Sequence, residues 1–157
     1  MTMDERDRKR GRYERIRERL AVELARCDEP LARMATTVAL LHHRQPHFFW
    51  TGFYRLVGNE LIVGPYQGSL ACPIIPVGQG VCGATVVQGA TIVVPDVHAF
   101  EGHIACDSRS RSEIVVPYRD RDGAVAGVLD VDSAERASFD EVDAEHLEAI
   151  VEMVFAG

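Results

Sequence analysis

The sequence predicts an α+β fold, a single antiparallel sheet with helices packed on one face, from three observations. Apolar residues recur at helical spacing through the first forty or so positions, the middle and later parts break into short β-rich segments bounded by turn residues, and a cap-like pattern opens a closing helix. With 157 residues the chain matches one domain, able to bury roughly two-thirds of its unfolded surface without help from disulfides.

Taken in order, Tyr13, Ile16, Leu20 and Leu24 form one apolar stripe on a first helix that ends near Cys27 and Asp28. Pro30 opens a second, "PLARMATTVALLHHR", with Leu31, Met34, Val38 and Leu41 on its inner face and a stop before Pro46. "FFWTGFYRLVGNELIVGPYQG" reads as two strands turning at Gly58-Asn59, residues that tolerate positive φ. "SLACPIIPVGQGVCG" reads as irregular loop, Gly83 to Gln88 as a short helix, and "ATIVVPDV" as a strand stopped by Pro95. "SEIVVPYRDRDGAVAGVLDVDS" reads as a hairpin turning at Asp122-Gly123. The last helix lies in "SFDEVDAEHLEAIVEMVF", with Ser138 as its cap, Glu141 three residues on, and Val142, Leu147, Ile150, Val151 and Val154 facing inward.

Composition excludes several classes of function. At 46% hydrophobic and 26% charged the chain reads as a soluble globular protein, and no apolar run approaches the roughly 18 residues of a membrane span. The opening "MTMDERDRKRGRYERIRERL" lacks the apolar core of a secretory signal, so a cytoplasmic setting is expected, in which the four cysteines stay reduced. A net charge of −7 argues against nucleic-acid binding. The basic head from Arg6 to Arg19 alternates with Asp4, Glu5, Asp7, Glu14 and Glu18, as a solvated helix laced with ion pairs does.

Three thiols stand apart from the packing pattern. Cys72 in "LACP", Cys82 in "GVCG" and Cys106 in "IACD" fall in the irregular middle among small residues, which predicts accessible sulfurs on loops able to approach one another. Cys106 also has His103, Arg109 and Arg111 nearby to favour thiolate, and Asp107 to oppose it. A zinc site using His98 or His103 competes with this redox reading, but no two thiols share the short Cys-x₂₋₄-Cys spacing of such sites. Three small core cysteines are the plainest alternative.

Carboxylates and aromatics supply the second signal. In "GVLDVDS", Asp130 and Asp132 are two apart and face one side of a strand, while Leu129 and Val131 face the other; Glu113 opens the "SEIVVP" strand. Such acids mark a solvated face, or else a pocket wall where desolvation and mutual repulsion keep a carboxyl protonated and able to donate. Trp50 and Tyr54 share a strand face across Gly52, which leaves space between them, as core packing or as a wall for a small apolar group. His42 and His43 end the second helix, where they suit its dipole.

"FFWTGFYRL", "GPYQGSLACPIIPVGQGVCG", "VPDVHAFEGHIACDSRSRSEIVVP" and "GVLDVDSAERASFDEVD" together resemble the free methionine-R-sulfoxide reductases, stand-alone GAF-domain enzymes, from about Tyr13 to Phe155. The resemblance implies a GAF-like fold with a six-stranded antiparallel sheet flanked by helices, spanning residues 13–157 after a basic extension over 1–12, and a homodimer. It implies that Cys106 attacks the sulfoxide sulfur of free methionine-R-sulfoxide, releasing methionine and leaving a sulfenic acid. Cys72 then closes a disulfide, and Cys82 serves as auxiliary or alternative partner. Glu113, Asp130 and Asp132 are implied to bind the substrate's polar groups, Trp50 to wall the methyl pocket and Tyr54 to complete the site. No cofactor and no metal is assigned. Thioredoxin is the natural reductant for an exposed cytosolic disulfide. Cys27, outside these motifs, reads as a spectator. A GAF-type sensor using the same thiols to register a ligand or oxidant is the rival reading.

Overall fold

The stripe of Tyr13, Ile16, Leu20 and Leu24 lies along helix α1 (Met3–Leu24) in the computed structural model, which describes residues 2–156. All four side chains are buried against α2 (Pro30–Arg44) and α4 (Glu141–Phe155). The capping box that starts α1 pairs Thr2 with Glu5. Arg33 of α2 donates to the Val154 and Met153 carbonyls at the end of α4 (both 2.8 Å), and to Leu24 and Cys27 at the end of α1. One guanidinium thus satisfies the open carbonyls of two helix ends.

The sheet has six strands in the order β3-β2-β1-β6-β5-β4, paired antiparallel throughout: β1 (Trp50–Val57), β2 (Glu60–Gln67), β3 (Ile74–Pro76), β4 (Ile92–Val94), β5 (Ser112–Arg119) and β6 (Val125–Ser133). Both expected hairpins form, with Gly58 and Gly123 at φ of 62° and 84° in their turns. Strand alternation sorts the residues by face. Phe53, Ile114, Val116, Leu129 and Val131 pack with α1, α2 and α4, whereas Trp50, Tyr54, Val115 and Val128 turn to the opposite face. Leu129 is fully buried, so truncation to alanine removes about 2–5 kcal/mol of stability.

Four details depart from the sequence reading. Helix α3 (Gly80–Gln88) covers the opposite face, so the helices are not all on one side. "IIP" forms the edge strand β3, a place where proline is tolerated. Leu31 is exposed, although it shares the spacing of its buried neighbours. The cap of α4 is Asp140, not Ser138: Asp140 accepts from Val142 N at 2.9 Å and Asp143 reciprocates to Asp140 N at 2.9 Å. Two Ser/Asp-x-x-Glu/Asp patterns overlap here, and Ser138 is instead held by Ser133, Oγ to Oγ 2.7 Å.

The basic head belongs to α1 and is not solvated throughout. Arg8 pairs with Asp4 and Arg19 with Glu23 on the surface, but Lys9 is buried, its Nζ 2.6 Å from Asp143 Oδ2. Tyr13 also donates to Asp143 (2.6 Å), and His47 Nε2 lies 2.9 Å from it. This cluster bolts the start of α4 to α1.

Candidate active site

Strand register builds the wall of the site. Asp132 of β6 stands opposite Trp50 of β1 on one side and Glu113 of β5 on the other, and Asp130 stands opposite Gly52 and Val115. Three acids from two neighbouring strands therefore converge on the face away from the three long helices. Helix α3 roofs them and points Cys82 inward from its first turn. Helix α3 packs tightly on the end of β3 because residue 83 is glycine: a Cβ there would lie 2.8 Å from both Gly78 N and Pro76 O.

Glu113 and Asp130 are only 5% and 6% exposed, so the solvated-face reading of these acids fails. Burial, then the charge of Asp132, pushes the Glu113 carboxyl up to about 8, opposed by a hydrogen bond from Asp130. Burial and the charge of Glu113 raise Asp130 well above the carboxylate range, and burial with the charge of Asp130 does the same to Asp132. At neutral pH the cluster holds protons. His103 Nε2 stands 3.6 Å from Glu113 Oε2, and burial lowers its pKa, favouring the neutral imidazole.

The thiols divide into two kinds. Cys72, between β2 and β3, and Cys106, in the loop before β5, are joined as a disulfide with Cα atoms 5.5 Å apart. Cys106 is exposed, as its neighbourhood in the sequence implies. Cys82 is free and buried, contrary to the expectation of an accessible sulfur. The start of a helix lowers a thiol pKa, but burial and the nearby Asp130, Glu113 and Asp132 outweigh it and push Cys82 well up. Cys27 is free, exposed and remote from the motifs.

Trp50 and Tyr54 do more than line a wall. The Trp50 indole N–H donates to Ser69 O (3.0 Å) and the Tyr54 hydroxyl to Cys72 O (2.9 Å), so both tether the loop that carries Cys72. Their ring centroids lie 6.0 Å apart, and Tyr66 stacks on Trp50 at 5.3 Å. The space over Gly52 is not open: a Cβ there would lie 2.5 Å from the Trp50 ring, which lies across it.

A latch missed in the sequence joins the two cysteine loops. Ser69 donates to Asp107 (2.7 Å), and Arg109 makes two guanidinium bonds to the same carboxylate (3.0 and 2.7 Å) while lying over the Phe49 ring. Hydrogen bonds from Arg109 and Ser69 hold Asp107 far below the usual carboxylate range. Arg109 is thus committed to Asp107 and does not bias Cys106 towards thiolate. The Asp-x-Arg spacing, with Asp107 also accepting from Arg109 N at 2.9 Å, is the one local signal for this turn.

The pocket between the acids and the loops encloses about 50 Å³ and is lined by Trp50, Tyr54, Cys82, His103, Cys106 and the three carboxylates, among others. Of the eight residues that the family resemblance assigns to the site, seven line it; the eighth, Cys72, has its carbonyl held by Tyr54 and its sulfur bonded to Cys106, while His98, Arg109 and Arg111 lie outside the lining. The arrangement sets a thiol able to cycle with a neighbour beside carboxyls that keep their protons. Among the described residues, Cys82, Glu113 and Asp130 are the group placed to hold a metal ion.

The GAF domain family model matches residues 13–155. Free methionine-R-sulfoxide reductase of Escherichia coli is 46% identical over 121 residues, covering 77% of this chain and 73% of that protein. The free methionine-R-sulfoxide reductase of Neisseria meningitidis, solved in complex with its substrate, is 42% identical with a TM-score of 0.83, covering 98% of this chain and 90% of that one. The reduced form of the Staphylococcus aureus enzyme is 45% identical with a TM-score of 0.87, covering 91% and 92%. The chain belongs to the free methionine-R-sulfoxide reductases of the GAF-domain family.

Proposed function

We propose that the protein reduces free methionine-R-sulfoxide to methionine, with Cys106 as the nucleophile. The supporting observation is a disulfide, Cys72–Cys106, whose exposed member lines a pocket walled by carboxyls that retain protons at neutral pH. Sulfoxide oxygen is a poor leaving group until protonated, so a thiol and an acid must act on one S=O bond. Cys106 attacks the sulfoxide sulfur, the oxygen passes to the cysteine as a sulfenic acid, and methionine leaves. Cys72 attacks that sulfenic acid, forms the disulfide and releases water. An external dithiol reopens the disulfide and is itself oxidised, so two thiols are consumed for each methionine and water formed.

Glu113, Asp130 and Asp132 bind the polar groups of the substrate, one of them donating the proton; the high pKa of Glu113 and its neighbours suits that role. Trp50 walls the methyl pocket, and Trp50 and Tyr54 also hold the Cys72 loop in place. Cys82, buried and kept protonated, is a poor nucleophile and serves as a reserve thiol. A single GAF domain over residues 13–157 following the basic segment 1–12, a homodimer, a cytoplasmic location and thioredoxin as the dithiol complete the proposal.

The test is methionine release from the separate R and S epimers of free methionine sulfoxide, with dithiothreitol as reductant and a peptide-bound sulfoxide as control. Turnover of the free R epimer alone is expected. A folded, reduced protein that turns over none of them is instead a ligand-binding or redox-sensing GAF domain.

A further inference from the structure

One oxygen of the acid cluster lacks the partner its burial demands. Asp130 is 6% exposed, and among the described residues no group donates a hydrogen bond to its Oδ1. Its neighbours are Glu113 and Cys82, which offer hydrogen bonds only while they keep protons of their own. No lysine or arginine among the described residues pairs with any of the three; the one cation-capable neighbour is His103, 3.6 Å from Glu113. A buried oxygen left in this state costs free energy, and the site favours an occupant that brings positive charge.

We propose that Cys82, Glu113 and Asp130 bind a thiophilic divalent cation of the zinc class, which blocks the pocket as an inhibitor and is not a cofactor. The ligand atoms of the three lie within 4.8 Å of one another, brought together from α3, β5 and β6, and the fourth position is left to water, His103 standing outside that set at 3.6 Å from Glu113. A tetrahedral ion with bonds of about 2.0–2.3 Å needs its ligand atoms about 3.5 Å apart, a distance that small side-chain rotations reach. One thiolate and two carboxylates suit zinc or cobalt and not magnesium or calcium, which take oxygen ligands. The cavity of about 50 Å³ has room for an ion. Binding displaces the thiol and carboxyl protons to solvent and changes no oxidation state. Because Cys82 lies outside the Cys72–Cys106 disulfide, the site persists in the oxidised protein.

The ligand claim is independent of turnover; only competition with the sulfoxide rests on the proposed activity. The direct test is a Co²⁺ titration of the disulfide form of the Cys27→Ser protein, in which Cys82 is the remaining thiol. One equivalent should give a thiolate-to-cobalt charge-transfer band with intense tetrahedral d–d bands, removed by Zn²⁺ and untouched by Mg²⁺ or Ca²⁺. Adding Cys82→Ser, with folding verified by circular dichroism, should abolish the charge-transfer band. Glu113→Gln should keep the band but weaken Co²⁺ affinity roughly tenfold or more. No charge-transfer band in the Cys27→Ser protein, or a band that survives Cys82→Ser, overturns the proposal. With reduced protein, Zn²⁺ should inhibit competitively against free methionine-R-sulfoxide, and noncompetitive inhibition would move the ion out of the pocket. A protein that shows the cobalt bands but reduces no sulfoxide keeps this site and loses the proposed activity.

Discussion

Two buried carboxylate clusters sit on opposite sides of one molecule and are treated in opposite ways. Asp143, on the side of the long helices, meets Lys9, His47 and Tyr13 at 2.6–2.9 Å. Burial alone would raise its pKa, yet the hydrogen bond and charge of His47, with Lys9 and Tyr13, hold it well below the carboxylate range. Glu113, Asp130 and Asp132, across the sheet, have no lysine or arginine partner among the described residues and are pushed up. The same residue type is therefore a fixed anion in one place and a proton store in the other. The first cluster contributes to stability; the second forgoes stability for a reactive pocket.

Substitutions can break that contrast, beginning with the thiol that faces the proton store. Cys106→Ser should reduce turnover roughly a thousandfold or more while leaving the melting temperature of the reduced protein unchanged, since serine is a far poorer nucleophile at sulfur. Undiminished turnover would remove Cys106 from its role.

Asp143→Asn should cost about 3–5 kcal/mol of stability in chemical denaturation, because it leaves Lys9 buried without its closest counter-charge. The pH dependence has a definite sign. A carboxyl whose pKa is lower folded than unfolded contributes stability above its unfolded value of about 3.9, and that contribution is lost as pH falls towards the folded value. Acid titration of the wild type should therefore show steep destabilisation below about pH 4 that the Asp143→Asn protein lacks.

Asp130→Asn should invert the pattern. A neutral carboxyl gives way to a neutral amide of the same shape, so stability should change by less than about 1 kcal/mol, while turnover falls roughly a hundredfold or more. A large stability loss with intact turnover would make the two clusters alike. The smallest effect belongs to the loop latch: Arg109→Ala should slow closure of the Cys72–Cys106 disulfide about threefold, as expected of an exposed pair, with sulfoxide reduction itself unaltered. Stopped-flow thiol trapping after a single oxidative turnover reads both steps.

Only one side of this contrast was legible in the sequence. The period-2 spacing of Asp130 and Asp132 places them on one face whatever the tertiary structure, and the structure agrees. Which face is buried depends on α3 closing over it, a contact no strand period contains. The expectation of an accessible Cys82 fails for the same reason, since the adjacent Gly83 lets the helix pack closely on the chain before it and does not expose the sulfur. Lys9 sits in a run of charges whose local pattern is wholly that of a surface, and its burial is set by Asp143, 134 positions away. Trp50 and Tyr54 were readable as aromatic site residues, whereas their hydrogen bonds to the Cys72 loop require the β1–β2 hairpin to bring residues 18 and 19 apart in sequence together.

A single-turnover experiment tests most directly the claim that the uncompensated acids and the Cys72–Cys106 pair serve one reaction. Fully reduced protein is mixed with one equivalent of free methionine-R-sulfoxide without added reductant, then alkylated and mapped by mass spectrometry. The account expects one methionine released per chain, with Cys72 and Cys106 joined and Cys82 alkylated on unfolding. Methionine released without that disulfide, or a disulfide formed without methionine, would contradict it.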